Sequence, residues 1–130
     1  MKEITLKEWS AYLPYGLKFK TKRGLDTLST LSDELINCDF EEWYSLNKVK
    51  PILYDLSWLT REITHEGETF IPLYKLQKID KAFVLTFIET FGYEELKVEV
   101  FELLLEWHFN VFSLPDELIV RVTEDFNPYK

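Results

Sequence analysis

The segment from Tyr93 to Phe109 limits the fold more than any other, because apolar residues cover an unusually broad part of its helical surface. If the segment is a helix, its apolar positions are Leu96, Val98, Val100, Phe101, Leu103, Leu104, Leu105 and Trp107. A helix with so little polar surface must be covered on most sides by other elements. The pattern therefore predicts a central helix from about Tyr93 to Phe109.

A second helical repeat precedes this segment. Its apolar residues recur every four positions or lie beside such positions: Ile79, Phe83, Val84, Phe87, Ile88 and Phe91. The spacing predicts an amphipathic helix that Gly92 ends in a left-handed conformation. The β-branched and aromatic content leaves a strand as the alternative.

The N-terminal part predicts a short helix followed by a β-hairpin. Thr5 and Glu8 have the spacing of a capping box, which indicates a helix over about residues 6–12. Apolar and basic residues then alternate with the period of a half-buried strand, and residues 22–24 have the composition of a turn into a second strand. The stretch 32–47 mixes turn formers with apolar residues, so short strands and an irregular connection are both open.

The stretch VKPILYDLSWLTREI, residues 49–63, is interpreted as a strand that leads into a helix. Pro51 lacks the N–H that a central ladder position needs, which favours an edge strand or the end of a strand. Asp55 or Ser57 would cap the helix. Its apolar face would carry Leu56, Leu59 and Ile63.

Turn residues divide the rest of the chain. Gly67 predicts a turn, and Pro72 is placed as a first-turn residue of a helix. Pro115 and Asp116 predict a turn before a last strand over about residues 118–122.

These elements predict an α+β fold in which a small, mostly antiparallel sheet packs against the C-terminal helices. At 130 residues, the chain is long enough for one hydrophobic core, so residues 1–130 are predicted to form a single globular domain. The predicted core contains Trp58, Phe83, Phe87, Phe101, Leu104 and Trp107.

Charge and composition exclude several partners. The formal net charge of −8 argues against a general affinity for nucleic acid or an anionic membrane, because both favour clustered lysine and arginine. Cys38 is the only cysteine, so no intramolecular disulfide can form. The charged N-terminus and the lack of a long uncharged run argue against export and membrane spanning, and cytoplasmic localisation is the expectation.

Four separated segments resemble, in order along the chain, a family of short uncharacterised proteins encoded by phages and prophages of gut bacteria. They are YLPYGLKFKT, VKPILYDLSWLTREI, GETFIPL and LLLEWHFNVFSL. The resemblance touches most of the chain outside residues 25–47. It implies a phage or mobile-element origin and an intracellular setting, and it transfers no activity, cofactor or functional residue.

No motif for catalysis, phosphate binding or a cofactor is present in the sequence. His65 and His108 are the only histidines and lie far apart in sequence, so a zinc site would need Cys38 and a carboxylate as well. Cys38 is surrounded by acidic residues, which would raise the pKa of a nucleophilic thiol. We therefore predict no catalytic residue, no metal and no cofactor, and we interpret His108 as a partly buried, hydrogen-bonded ring at a helix end.

Two charged clusters remain as candidate binding surfaces. Lys18, Lys20, Lys22 and Arg23 alternate along the predicted hairpin, where outward lysines discourage edge-to-edge aggregation more than they indicate nucleic-acid binding. On a continuous helix, Glu95, Glu99, Glu102 and Glu106 would share one stripe. The stripe is either a solvated helix face or a docking surface for a basic protein partner.

The sequence thus leaves two classes of function. The first is a small acidic phage or mobile-element protein that acts without catalysis, as an inhibitor or adaptor that binds a basic surface of a host or phage protein. The alternative is an enzyme or nucleic-acid-processing accessory whose site has no sequence motif. A deep pocket at Cys38, His65 or His108 would favour the alternative, and the oligomeric state is left open.

Overall fold

The computed structural model describes residues 4–21, 24–31, 35–38, 43–45, 49–84 and 86–129. The helices in these ranges are α1 (Leu6–Tyr12), α2 (Pro72–Ile79), α3 (Phe87–Phe91) and α4 (Val98–Glu106). Short 3₁₀ segments lie at Leu13–Tyr15, Leu56–Thr60, Tyr93–Glu95 and Asp116–Leu118. The strands are β1 (Lys18–Thr21), β2 (Gly24–Leu31), β3 (Leu35–Cys38), β4 (Trp43–Ser45), β5 (Lys50–Leu53), β6 (Ile63–His65), β7 (Glu68–Phe70) and β8 (Val120–Arg121).

The main sheet has six described strands in the order β4-β3-β2-β1-β5-β8. All neighbours are antiparallel except β5 and β8, which are parallel. The antiparallel hairpin of β1 and β2 confirms the predicted one. β3 and β4 are short strands inside the stretch that the sequence left open, whereas residues 32–34, 39–42 and 46–48 lie outside the described ranges. The α+β fold with a mostly antiparallel sheet is therefore confirmed.

Strand β5 is interior to this sheet, so an edge position for Pro51 is wrong. Pro51 lies opposite Phe19 of β1, and pairing with β8 begins one residue later, at Ile52. The missing N–H of proline is tolerated because Pro51 lies near the start of β5, one residue before β5 begins to pair with β8. The predicted alternative, a strand end, describes this position better.

The capping box at the start of α1 forms as predicted. The Glu8 backbone N–H donates to Thr5 Oγ1 at 3.1 Å, and the Thr5 N–H donates to Glu8 Oε1 at 2.9 Å. Trp9 and Tyr12 are the buried residues of this helix. They place α1 against α4 and β2.

The helix predicted over residues 79–91 does not form as one element. α2 ends at Ile79, and the Asp80 side chain accepts a hydrogen bond from the Ala82 N–H at 3.0 Å. An aspartate that binds a backbone N–H two residues on stabilises a turn in competition with the helix. α3 is the short remainder, and Gly92 ends it with φ 83° and ψ 158°, an extended conformation with positive φ open to glycine alone instead of the predicted left-handed one.

Helix α4 is shorter than predicted. Leu96 and Lys97 have extended backbone angles, which separate the 3₁₀ segment Tyr93–Glu95 from α4. Val100 and Leu104 are fully buried, as a central helix requires, but Val98 is 65% exposed. The predicted helix after Asp55 is likewise a 3₁₀ segment, which the Asp55 side chain caps, and Ile63 belongs to β6 instead of to that helix.

The predicted core is largely confirmed. Trp58, Phe83, Leu104 and Trp107 are buried, and Phe87 and Phe101 are partly buried and pack against the same cluster. Among the described residues, no helix combines the length and the apolar character needed to cross a bilayer.

Candidate functional site: a histidine pair and the groove beside it

His108 lies in the turn that ends α4. The N–H of His108 donates to the Leu105 carbonyl at 3.0 Å, and the N–H of Phe109 donates to the Leu104 carbonyl at 2.9 Å. This pair of bonds is a Schellman motif with His108 at the position where glycine is usual. A φ of 64° destabilises a non-glycine residue by about 1–2 kcal/mol, so contacts of the His108 side chain must offset this cost.

The ring of His108 is buried, hydrogen-bonded through Nε2 and stacked on an aromatic ring. Nε2 lies 2.6 Å from the carbonyl oxygen of Tyr15, and because a carbonyl only accepts, the proton belongs on Nε2. The ring stacks on Tyr129 with centroids 4.0 Å apart. Burial lowers the pKa of His108 to about 4, since the imidazolium ion would lose its water. The interpretation of His108 as a hydrogen-bonded ring at a helix end is confirmed.

Tyr129 joins two strands at the point where their ladder ends. Its hydroxyl accepts from the Lys18 N–H of β1 at 2.9 Å and donates to the Ile52 carbonyl of β5 at 2.6 Å. Phe19 and Pro51 are the last directly paired residues on this side. The hydroxyl thus bridges backbone groups of β1 and β5 just beyond their last directly paired residues, and burial raises the pKa of Tyr129.

The backbone after His108 is bound from several directions. The His108 carbonyl accepts from the Tyr54 N–H at 2.8 Å, and the Asn110 N–H donates to the Tyr54 carbonyl at 2.9 Å. The Tyr12 hydroxyl of α1 donates to the Phe109 carbonyl. We call residues 108–110 with these tyrosines the inner junction, because α1, β1, β5 and the end of α4 meet there.

His65 lies next to the inner junction, on β6. Its ring centroid is 6.3 Å from that of His108. Nε2 of His65 lies 3.4 Å from Glu106 Oε2 and 3.8 Å from Glu66 Oε1. Although Nε2 is buried, neither carboxylate is aligned with it as a hydrogen-bond acceptor. Neither carboxylate is therefore hydrogen-bonded to His65 Nε2, and both keep capacity for another donor.

The groove beside His65 lies between α2, α4 and the hairpin of β6 and β7. Its volume is about 460 Å³. Phe70 and Trp107 form part of its floor, with ring centroids 4.9 Å apart. The remaining lining residues are His65, Glu66, Glu68, Lys75, Lys78, Ile79, Leu103 and Glu106.

One cation of the groove is already paired. Lys75 Nζ lies 2.6 Å from Glu68 Oε1 and 4.1 Å from the centroid of the Phe70 ring. Lys78, Glu66 and Glu106 make no lysine–carboxylate or arginine–carboxylate pair with any other described residue. The groove therefore contains both satisfied and unsatisfied charges.

The structure separates the four predicted acidic residues. Glu99, Glu102 and Glu106 lie on α4 at spacings that keep them on one side, which we call the acidic face. Glu95 belongs to the preceding 3₁₀ segment, so its predicted place in the same helical stripe is wrong. The cause is the extended backbone at Leu96 and Lys97. It interrupts the helix between Glu95 and α4, so Glu95 no longer follows the helical spacing of the other three residues.

The other candidate residues contribute less. Lys18 Nζ donates to Thr27 Oγ1 at 3.2 Å across the hairpin, and Lys20 is exposed, while Lys22 and Arg23 lie outside the described residues. The backbone of Cys38 belongs to β3, and its side chain is outside the description. Within the described part of the chain, no three histidine, cysteine or acidic side chains are placed to hold a metal.

A second cavity lies where the 3₁₀ segments Leu56–Thr60 and Asp116–Leu118 approach each other. It measures about 370 Å³ and includes Asp55 and Asp116. Arg121 Nη2 lies 3.0 Å from Asp55 Oδ1, and Arg121 Nη1 lies 3.6 Å from Asp116 Oδ2. The carboxylates of Asp55 and Asp116 therefore already have a cationic partner.

Sequence reasoning missed the proximity of His65 and His108 and the role of Tyr129. No local pattern could have found either, because the contacts join residues from distant parts of the chain. Neither the family models nor the curated proteins nor the solved structures that were compared with the chain gave a match.

Proposed function

We propose that the protein acts without catalysis, by binding a basic surface of another protein through the acidic face of α4 and the adjoining groove. The observation that carries the proposal is the charge of this face. Glu99 and Glu102 are exposed and form no ion pair with any other residue in the described ranges. Glu106 continues the row into the groove.

The groove supplies the apolar contact that charge alone lacks. Protein interfaces combine a desolvated apolar centre with a polar rim, and aromatic residues are enriched at that centre. Phe70, Ile79, Leu103 and Trp107 provide apolar lining next to the carboxylates. Charge complementarity at the rim would speed association and select a basic partner.

The net charge of −8 and the resemblance to phage and prophage proteins support the rest of the proposal. We place the protein in the cytoplasm of a bacterial host, where it inhibits or adapts a host or phage protein. The partner's basic surface could also be one that binds nucleic acid, in which case the acidic face would compete with phosphates.

A specific contact favours a second function. His65 lies 3.4 Å from Glu106 at the edge of a groove, and a histidine beside a carboxylate is a usual arrangement for a general base. No serine, threonine or cysteine lines the groove among the described residues, so a nucleophile would have to come from the substrate. An enzyme of this kind would lose its biological effect in His65→Gln while it kept its protein partner.

The experiment is affinity capture from a bacterial host lysate with three forms of the full chain. The first is the wild type, and the second carries Glu99→Gln, Glu102→Gln and Glu106→Gln. The third is a matched control, with the same change of charge at exposed acids elsewhere: Glu62→Gln, Glu94→Gln and Glu117→Gln. Quantitative mass spectrometry and chemical cross-linking then identify the captured proteins and the face that contacts them.

We expect one protein to be captured by the wild type and the control and lost from the acidic-face variant, with cross-links that map to α4. Equal thermal unfolding of the three forms would show that folding is unchanged. If all three forms capture the same proteins in equal amounts, the acidic face is not the binding surface and the proposal is wrong.

A further inference from the structure

The geometry points to a lysine or arginine side chain of the partner as the occupant of the groove, with its aliphatic stem on the apolar floor and its cationic group at Glu106 and Glu66. This inference rests on the proposed function and deepens it, because it names the chemical group that the groove would recognise. Three features of the groove support it: carboxylates without a lysine or arginine partner in the described ranges, an internal lysine held by a carboxylate and an aromatic ring, and an apolar floor.

The first feature is the Glu106 carboxylate at the end of α4, which is partly buried and has no cationic side chain bound to it among the described lysines and arginines. Glu106 is partly buried, with 40% of its side chain exposed, and the described residues provide no lysine or arginine to it. His65 is near, but its Nε2 makes no aligned hydrogen bond to Glu106. A partly buried carboxylate gains more from a charged donor than an exposed one does, because water screens the contact less.

The second feature is the internal lysine on the opposite wall. Lys75 extends over the face of Phe70 and places its ammonium group against Glu68. The same combination of aromatic face and carboxylate therefore binds a cation within this chain. The other side of the groove offers the carboxylates of Glu106 and Glu66 and the partly buried side chain of Leu103, whereas the Trp107 ring is buried and leaves almost no face open to a cation.

The third feature is the shape of the occupant that the floor allows. The floor is apolar. It belongs to a groove of about 460 Å³, a volume larger than one ammonium group fills. Lysine and arginine side chains cover apolar surface with their methylene groups while the charged end reaches a polar rim. A small inorganic cation would leave this floor uncovered, whereas a side chain from a protein partner would bury it.

Lys78 is a positive charge in the groove, and its removal distinguishes binding of a cation from a general loss of structure. It lines the groove and makes no pair with a carboxylate of any described residue, so it repels a cationic occupant. Removal of a carboxylate and removal of this lysine should therefore change the affinity in opposite directions. A general loss of structure would change both in the same direction.

The test uses isotopically labelled full-length protein and two synthetic pentapeptides. The probe is acetyl-Gly-Leu-Arg-Leu-Gly-amide, and its match carries citrulline, which has the shape of arginine without the charge. NMR titration follows the backbone amides of Leu103, Glu106 and Trp107. We expect saturable shifts with the arginine peptide and about two- to fivefold weaker binding for the citrulline peptide and for Glu106→Gln.

Lys78→Gln should tighten binding of the arginine peptide by about twofold, and Glu117→Gln, at an exposed acid outside the groove, should leave it unchanged. Equal affinity for both peptides, an unaffected Glu106→Gln variant, or no saturable shift at millimolar peptide would overturn the inference. These outcomes leave the acidic face as the proposed binding surface if a variant with only Glu99→Gln and Glu102→Gln still loses the captured partner, so the two failures can be told apart.

Discussion

The two histidines of this chain have ring centroids 6.3 Å apart and belong to different kinds of environment. His108 is 5% exposed, donates to a backbone carbonyl and stacks on Tyr129. His65 borders an open groove, where its Nε2 faces two carboxylates without an aligned hydrogen bond. The His108 ring has a hydrogen bond and a stacking partner, whereas His65 Nε2 has no hydrogen bond and the carboxylates beside it can still accept one.

This comparison teaches that residue type alone does not mark a functional site. A buried polar group with complete hydrogen bonding mainly specifies the fold, because any change leaves a desolvated partner behind. A polar group in a groove with unsatisfied neighbours can bind something else at little cost to the fold. Changes in the inner junction should therefore affect stability strongly, and changes in the groove should affect binding.

The largest expected effect is the pH dependence that comes from His108. Its pKa is about 4 in the folded protein and 6.5 in the reference state, so between these values the unfolded chain binds more protons. The stabilisation is complete above pH 6.5 and is lost as the pH falls toward 4. At about 1.4 kcal/mol per pKa unit, the free energy of unfolding should fall by about 3 kcal/mol, as measured by urea titration across this range.

The basic groups near His108 lower its pKa further, whereas the hydrogen bond to the Tyr15 carbonyl opposes this shift. The nearby basic groups are His65 and Lys18, whose positive charges would oppose protonation, and Tyr15 and Tyr129 present a carbonyl and a ring. The control is His108→Gly, which suits the positive φ and removes the titrating ring. If the variant loses stability over the same pH range by the same amount, another group is responsible.

The next largest effect is expected for Tyr129→Phe. The substitution keeps the ring that stacks on His108 but removes the hydroxyl between Lys18 and Ile52. Two backbone groups would lose this partner, so unfolding free energy should fall by about 2 kcal/mol in denaturant titration. The matched control is Tyr74→Phe, at a residue that is 62% exposed. A loss no larger than the control's would mean that water replaces the hydroxyl.

The smallest effect on stability is expected in the groove. Glu106→Gln removes a charge that has no aligned hydrogen bond with His65, so the free energy of unfolding should change by less than about 0.5 kcal/mol. Thermal and urea unfolding measure this directly. A loss as large as that of Tyr129→Phe would erase the contrast between the two regions and would make Glu106 a structural residue.

The sequence predicted the elements whose signals are local. The capping box of Thr5 and Glu8, the hairpin at Gly24 and the helix that begins at Pro72 all depend on residues a few positions apart. The α+β class follows from these elements. The buried character of Val100 and Leu104 was also evident, because it comes from the apolar periodicity of the helix itself.

The errors have a common physical cause. The aromatic repeat of Phe83, Phe87 and Phe91 has helical spacing, yet the Asp80 turn prevents a continuous helix and the rings still pack in sequence. In the same way, the extended backbone at Leu96 removes Glu95 from the acidic face. Periodicity reports which residues prefer burial, but local hydrogen bonds decide where a helix stops.

The candidate site was beyond prediction for a different reason. His65 and Glu106 are brought together by the packing of the β6 and β7 hairpin against α4, and no repeat or motif encodes that contact. The individual acidic residues could be chosen from the sequence. Their position beside a histidine and an apolar groove floor could not be predicted from the sequence.

The tyrosine contacts at the inner junction also bear on how fast the protein folds. Tyr12 and Phe109 are 97 positions apart, and Tyr129 is 111 positions from Lys18. Closing such long loops costs chain entropy before any contact rewards it, and rates of two-state folding fall as the mean sequence separation of contacts rises. We therefore expect the bonds of the inner junction to form late in folding, because they need residues 12–18 and 109–129 to come together first.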